Sequence, residues 1–161
     1  MVDAANPSRV IAVSTGVGLS LGPQPEGYTK ADNDPIDVTD SPDMPRLTEV
    51  FGVERVEAGV WEIAGLTAEN ASPDAALHLG PQHIALEAAA SELAETTAGT
   101  QVQIEDWYVM FVNRGKTGPF RTRGEVFAGA DGAIGTRVDL IDIGNDARVV
   151  STCAARFRVV Q

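Results

Sequence analysis

The stretch His78–Gly99, HLGPQHIALEAAASELAETTAG, decides the fold. Ala, Leu, Glu and Gln dominate it, and all four are good helix formers. Pro81 suits the first helical position, where its missing N–H costs nothing, and Gly80 suits the N-cap. Gly99 is a natural left-handed stop. The pattern predicts one helix over about 81–97, roughly 25 Å long at 1.5 Å per residue. Alanines at 85, 88, 89, 90 and 94 keep it thin, so a sheet can approach closely and curl around it. A single carboxylate, Glu87, stands inside the apolar run, with Ile84 at i−3 and Ser91 at i+4 on the same face. Glu92 and Glu95 read as solvent-facing charges.

Beyond Gly99 the hydrophobic period changes from 3.6 to 2. In QVQIEDWYVMFVN (101–113), alternation puts Val102, Ile104, Tyr108, Met110 and Val112 on one face. GPFRTRGEVFA (118–128) alternates with Arg121, Arg123 and Glu125 on one side. Asp131-Gly132 is a two-residue hairpin signal leading into AIGTRVDLIDI (133–143). A second tight turn at Gly144-Asn145-Asp146 opens ARVVSTCAARFRVV (147–160). There Val149, Ser151, Cys153, Ala155, Phe157 and Val159 are expected to face inward. Sequential hairpins imply an antiparallel meander.

Ahead of the helix, PRLTEVFG (45–52) reads as a short helix ending at Gly52. VERVEAGVWEIAGL (53–66) reads as a strand kinked at Ala58-Gly59, and TAENASPDAALHLG (67–80) as a loop. The layout is α+β: one strand, a central helix, then about four antiparallel strands.

At 161 residues, with 43% hydrophobic and 22% charged residues, the chain is long enough for one substantial core. Its formal net charge of −11 argues against nucleic acid or an anionic membrane as partner, since both call for a basic surface. Residues 1–100 hold 4 Lys+Arg and 16 Asp+Glu, whereas 101–161 hold 8 and 7. Attraction for an anionic ligand is therefore expected from Arg114, Lys116, Arg121 and Arg123, although such residues also keep sheet edges soluble.

Residues 1–45 differ in kind from the rest. RVIAVSTGVGLSLG (9–22) is compatible with a strand or loose hairpin, and is too short and polar to span a bilayer. No basic region precedes it, as a signal peptide would require. Five aspartates between Asp32 and Asp43, with prolines around them, mark an extended acidic arm. The expected organisation is thus an extension over 1–45 and one domain over 46–161. Cys153 is the only cysteine, so no internal disulfide is possible, which fits a cytoplasmic location. In its alternating apolar run it reads as a small core residue.

The order of elements around an alanine-rich helix resembles the hotdog fold. HLGPQHIALE resembles the His-Gly-Gly signature of PaaI-type and 4-hydroxybenzoyl-CoA-type thioesterases, in which a catalytic Asp or Glu follows the second glycine by seven positions. Gly80 and Glu87 have that spacing. GPFRTRGEVF and TRVDLIDIGNDARVVSTCAARFRVV resemble the later strands of the same family, so the resemblance covers about Pro45 to Gln161. It places His78 on the motif histidine, Leu79 on the first glycine, Gly80 on the second and Glu87 on the catalytic carboxylate. Ser91 falls where the Glu-using members carry Ser or Thr. Asn70 is the nearest match, about two residues out of register, to the Asn or Gln that precedes the histidine. Leu79 is the departure: a side chain stands where the family brings substrate against the backbone.

The resemblance implies an acyl-CoA thioesterase, working as a homodimer or dimer of dimers with sites across the subunit seam. Physical chemistry fits these residues to that task. The Leu79 and Gly80 amides, at a helix N-terminus, are candidate oxyanion donors. Glu87 is the candidate nucleophile or general base, and partial burial would raise its pKa. Arg114, Lys116, Arg121 and Arg123 are candidate partners of the CoA phosphates. His83 reads as structural, and two histidines without a carboxylate at ligand spacing give no metal site; no cofactor is expected. The alternative is a non-catalytic hotdog protein that binds an acyl-CoA or related small ligand. A hotdog hydratase would need an Asp five residues before a histidine, and neither His78 nor His83 has one.

Overall fold

A computed structural model of the chain describes residues 6, 8, 15–16, 43–128 and 132–160. Asp40–Gln161 forms one compact unit, separate from Met1–Thr39. The strand or hairpin expected over 9–22 (apart from Thr15 and Gly16), nearly all of the acidic arm, and Asp131 lie outside the described residues.

The elements run α1 (Leu47–Val50), β1 (Val53–Glu57), β2 (Val60–Ile63), α2 (Leu79–Ala98), β3 (Val102–Phe111), β4 (Phe120–Ala128), β5 (Ile134–Asp142) and β6 (Arg148–Val159). The six strands form one antiparallel sheet in the order β1-β2-β4-β5-β6-β3, curled around α2. β4, β5 and β6 form the expected meander and the short helix before Gly52 is as expected, whereas β3 crosses to the far edge and pairs with β6.

The segment 53–66 is a hairpin and not one kinked strand. Val53 pairs with Ile63 and Glu57 with Val60, because Gly59 adopts φ +72° and reverses the chain. Among the described residues the sheet therefore has six strands, two of them before α2.

The long helix also begins earlier than expected. It starts at Leu79, and its N-cap is His78 in place of Gly80. The His78 ring accepts the Gly80 N–H at Nδ1, a side-chain cap that glycine cannot supply. At the other end Gly99 takes φ +68° and donates to Glu95 O at 2.8 Å. Pro81, Gln82, Ala85, Leu86, Ala89, Ala90 and Ala94 form the buried face. They pack on Ile63, Phe120, Val138, Leu140, Cys153 and Phe157 from the sheet. The approach is close: a Cβ added at Gly124 would lie 2.5 Å from Leu93 Cδ1. A thin helix is what allows it.

Two bulges correct the expected strand faces. In β3 the pairing with β6 shifts between Ile104 and Asp106. The extra residue inverts the alternation. Trp107 and Val109 therefore join Val102 and Ile104 against the core, while Tyr108 and Met110 are exposed on the other face. In β6 the partners of Leu140 and Ile141 are Ser151 and Val149, and the skipped Val150 enters the core. Ser151, Cys153, Ala155 and Phe157 are buried as expected, whereas Val159 is exposed.

Candidate active site

Leu79, His83, Glu87 and Ser91 follow one another at intervals of four, and so form a single slanting row on α2. The sheet meets this row at His83, beside Phe111 of β3, and leaves Leu79 and Glu87 open. Leu79 and Glu87 are exposed, and His83 and Ser91 are half-buried. The partial burial expected for Glu87 is not found within the chain, because the buried stripe of α2 runs along its opposite side. The Glu87 carboxylate makes no hydrogen bond or ion pair among the described residues.

At the start of the row the two candidate amides differ. The Gly80 N–H is engaged by His78 Nδ1 at 3.3 Å. The Leu79 N–H has no partner among the described residues, and Pro81 has none to offer. Among the described residues, Leu79 thus supplies the free donor in this first turn, at the positive end of the helix dipole. Its side chain stands half-exposed beside it.

Asn70 is brought next to His78 despite the offset in spacing. Loop 71–77 doubles back through the Ala71–Leu77 bridge, and the His78 N–H donates to Asn70 O at 2.8 Å. The Asn70 side chain is used elsewhere. Its Oδ1 accepts the Thr67 N–H and its Nδ2 donates to Gly65 O, so it buttresses the loop that carries His78.

The four basic candidates separate into two pairs. Arg114 and Lys116 lie in the β3–β4 loop, which docks at the start of α2 through Leu77 N–H to Gly115 O, 2.8 Å. Both meet Asp74. The Ser72 hydroxyl, with help from these two cations, holds the Asp74 carboxyl below its usual range. Arg121 and Arg123 project from the exposed positions of β4 that alternate with buried Phe120 and Thr122, away from α2, and pair with Glu62 and Asp139. They do not converge with Glu87.

Two side chains with structural weight, Glu92 and Asp142, escaped the sequence reading, and a third, His83, reads there as structural. Glu92, expected to face solvent, is largely buried and accepts four hydrogen bonds. They come from Arg55 Nε (2.8 Å) and Nη2 (2.6 Å), Gly59 N (3.0 Å) and Trp61 Nε1 (2.9 Å). The Arg55 hydrogen bond is the main cause of its lowered pKa. It ties the β1–β2 hairpin to α2, and its membership of the buried row Ala85–Ala89–Glu92 was the available signal. Asp142 is fully buried and accepts the N–H groups of Lys116, Thr117 and Gly118, which pins the β3–β4 loop. His83, four residues before Glu87, packs edge-on to Phe111 of β3.

Three clefts among the described residues, near α1–β2 (about 370 Å³), around the β1–β2 turn (about 350 Å³) and beside Gln103 and Arg158 (about 460 Å³), are lined by no residue of the open row. No group of three His, Cys, Asp or Glu among the described residues is placed to hold a metal. No helix among them is long and apolar enough to cross a membrane.

No protein-family model and no curated protein matches the sequence. Solved structures do. A thioesterase from Haemophilus influenzae superposes with TM-score 0.62 at 13% identity, covering 71% of this chain and 82% of that one. A phenylacetic acid degradation-related protein from Ralstonia eutropha gives 0.56 at 19% identity, covering 72% and 91%. A protein from Bacillus halodurans solved with CoA gives 0.60 at 13% identity, covering 71% and 75%. The chain shares the hotdog fold with these structures. Identities this low establish the fold, and the chemistry must be argued from the site.

Proposed function

We propose that the chain is an acyl-CoA thioesterase in which Glu87 is the general base and the Leu79 N–H an oxyanion donor. One observation carries the reading: an open row on α2 has an unpartnered N–H at its N-terminal end and an unpartnered carboxylate two turns on. Eight residues at 1.5 Å put the two Cα atoms about 12 Å apart along the axis. The Glu87 side chain leans back toward the N-terminus. The reading sets a thioester carbonyl on the Leu79 N–H and a water between its carbon and the carboxylate. This spacing favours activation of water over direct attack by Glu87.

In that arrangement the water oxygen adds to the carbonyl carbon while Glu87 takes a proton. The oxyanion rests on the Leu79 N–H, reinforced by the helix dipole. On collapse the C–S bond breaks, and the proton on Glu87 passes to the leaving thiolate. Ser91, one turn further along, hydrogen-bonds the carboxylate or its water. His78 and Asn70 shape the turn.

A single chain leaves Glu87 open to bulk water, which weakens every electrostatic term in the site. A second copy closes it. The ten-residue strand β3 ends the sheet, paired only with β6 among the described residues, and shows Tyr108 and Met110, with Val112 just beyond its end, to solvent. Joining two such edges gives a homodimer, alone or within a dimer of dimers, with each pocket completed by the partner. Arg114 and Lys116, beside the helix N-terminus, are the phosphate contacts this geometry favours over Arg121 and Arg123. The CoA bound to the Bacillus halodurans neighbour supports the choice of ligand, and the lone reduced cysteine supports a cytoplasmic setting.

The Leu79 side chain, standing beside the free N–H, favours a second reading in which the site binds CoA esters without cleaving them. Thiol release over an acyl-CoA panel, run beside titration calorimetry, separates the two. Saturable release that disappears in Glu87→Ala supports hydrolysis, and binding without release establishes the binder. Absence of both sinks the CoA-ester assignment.

A further inference from the structure

His83 stands midway between Leu79 and Glu87 in the open row. Its Nδ1 lies 3.3 Å from Leu79 O. A carbonyl oxygen only accepts, so Nδ1 carries the proton and Nε2 of the neutral ring keeps a free lone pair. The ring is also held by β3. Its centroid is 5.2 Å from that of Phe111 at 61° and 6.3 Å from that of Trp107 at 34°, both within aromatic pairing range. Two elements thus fix its plane and its tautomer. Nε2 itself makes no hydrogen bond among the described residues. Ring packing alone would be met by phenylalanine and would not require this nitrogen.

We propose that His83 is a positioning residue for the nucleophilic water of the Glu87 site. The proposal rests on the thioesterase reading above and adds a residue to it. Four residues rise about 6 Å, and Glu87 leans back over the His83 turn. Two hydrogen bonds of about 2.8 Å through one water span that distance. Nε2 accepts one O–H of the water, the other proton goes to Glu87, and the water's remaining lone pair is turned toward the carbonyl held at Leu79. His83 exchanges no proton in this step.

The test uses the full chain, thiol release and thermal melts. His83→Phe keeps the ring and removes the acceptor. It is expected to melt with the wild type and keep its KM, with kcat lowered about 10- to 100-fold, the usual cost of a misplaced reactant. His83→Gln and His83→Met repeat the comparison without the ring, at similar volume. Higher kcat for Gln than for Met is expected, because only Gln offers an acceptor. Wild-type kcat in His83→Phe, or equal kcat in Gln and Met, overturns the proposal. Turnover lost in Glu87→Gln but untouched in His83→Phe overturns His83 alone, whereas no turnover by the wild type removes the thioesterase reading and the role of His83 together.

Discussion

Replacing Glu92 by glutamine keeps the side chain's volume and removes its charge. Four donors converge on the carboxylate, and glutamine offers one carbonyl oxygen and an amide that faces donors. Arg55 is 52% exposed at its side chain, so its ion pair is screened and adds little. The Gly59 and Trp61 donors are partly buried and bond to a charged acceptor, about 1 kcal/mol each. The expected loss is therefore about 2 kcal/mol, measured by urea unfolding of both proteins near pH 7. The pH dependence adds a second reading of the same contact. Arg55 holds the Glu92 carboxyl below its unfolded value of about 4.3. Its stabilisation is fully present above that value and is lost as pH falls through the lower folded one. The gap between wild type and Glu92→Gln should be flat from pH 8 to about 5 and shrink below it. A gap under about 0.5 kcal/mol, or one that persists unchanged to pH 3, would refute the role of Glu92 as the tie between hairpin and helix.

Asp142→Ala leaves three N–H groups of the β3–β4 loop without their acceptor inside the fold. A loss of about 3–5 kcal/mol in the unfolding free energy is expected, with a smaller loss for Asp142→Asn. The Cys153 thiol is pushed up to about 12 by burial, so iodoacetamide should leave it unmodified in the native protein and alkylate it in denaturant, as mass spectrometry would show. Leu79→Gly removes a half-exposed side chain from the first turn of α2 and should cost about 0.5–1 kcal/mol of stability in a thermal melt. If Leu79 narrows the acyl pocket, kcat/KM for the bulkiest CoA esters should rise relative to the smallest, and an unchanged preference would place Leu79 outside the pocket.

The helix and the β4-β5-β6 meander were legible because each rests on local signals, and the hotdog layout through the resemblance they carry. A run of helix formers ends at Gly99, and hairpin turns punctuate alternating strands. The two bulges were not legible. Nothing in Gln103–Trp107 distinguishes an extra residue at Glu105 from continued alternation, and only the register against β6 reveals it. The kinked strand over 53–66 became a hairpin for a similar reason, since Gly59 permits either outcome. At the site, the row from Leu79 to Ser91 follows from helical spacing alone. The partners of Glu92 and His83 do not, because Arg55, Trp61, Trp107 and Phe111 lie on strands that only the folded sheet brings to the helix. Asn70 shows the converse: its offset in spacing is absorbed by a loop that folds back to set it beside His78.

The central claim is that Glu87 activates the water that cleaves a CoA thioester. The most direct measurement is kcat and Kd for one well-turned-over ester in wild type and in Glu87→Gln, with KM recorded beside them. Removal of a general base with the fold and the oxyanion donor intact predicts a fall in kcat of about 10²- to 10⁴-fold with Kd unchanged. Glu87→Gln turning over at the wild-type rate would contradict the account.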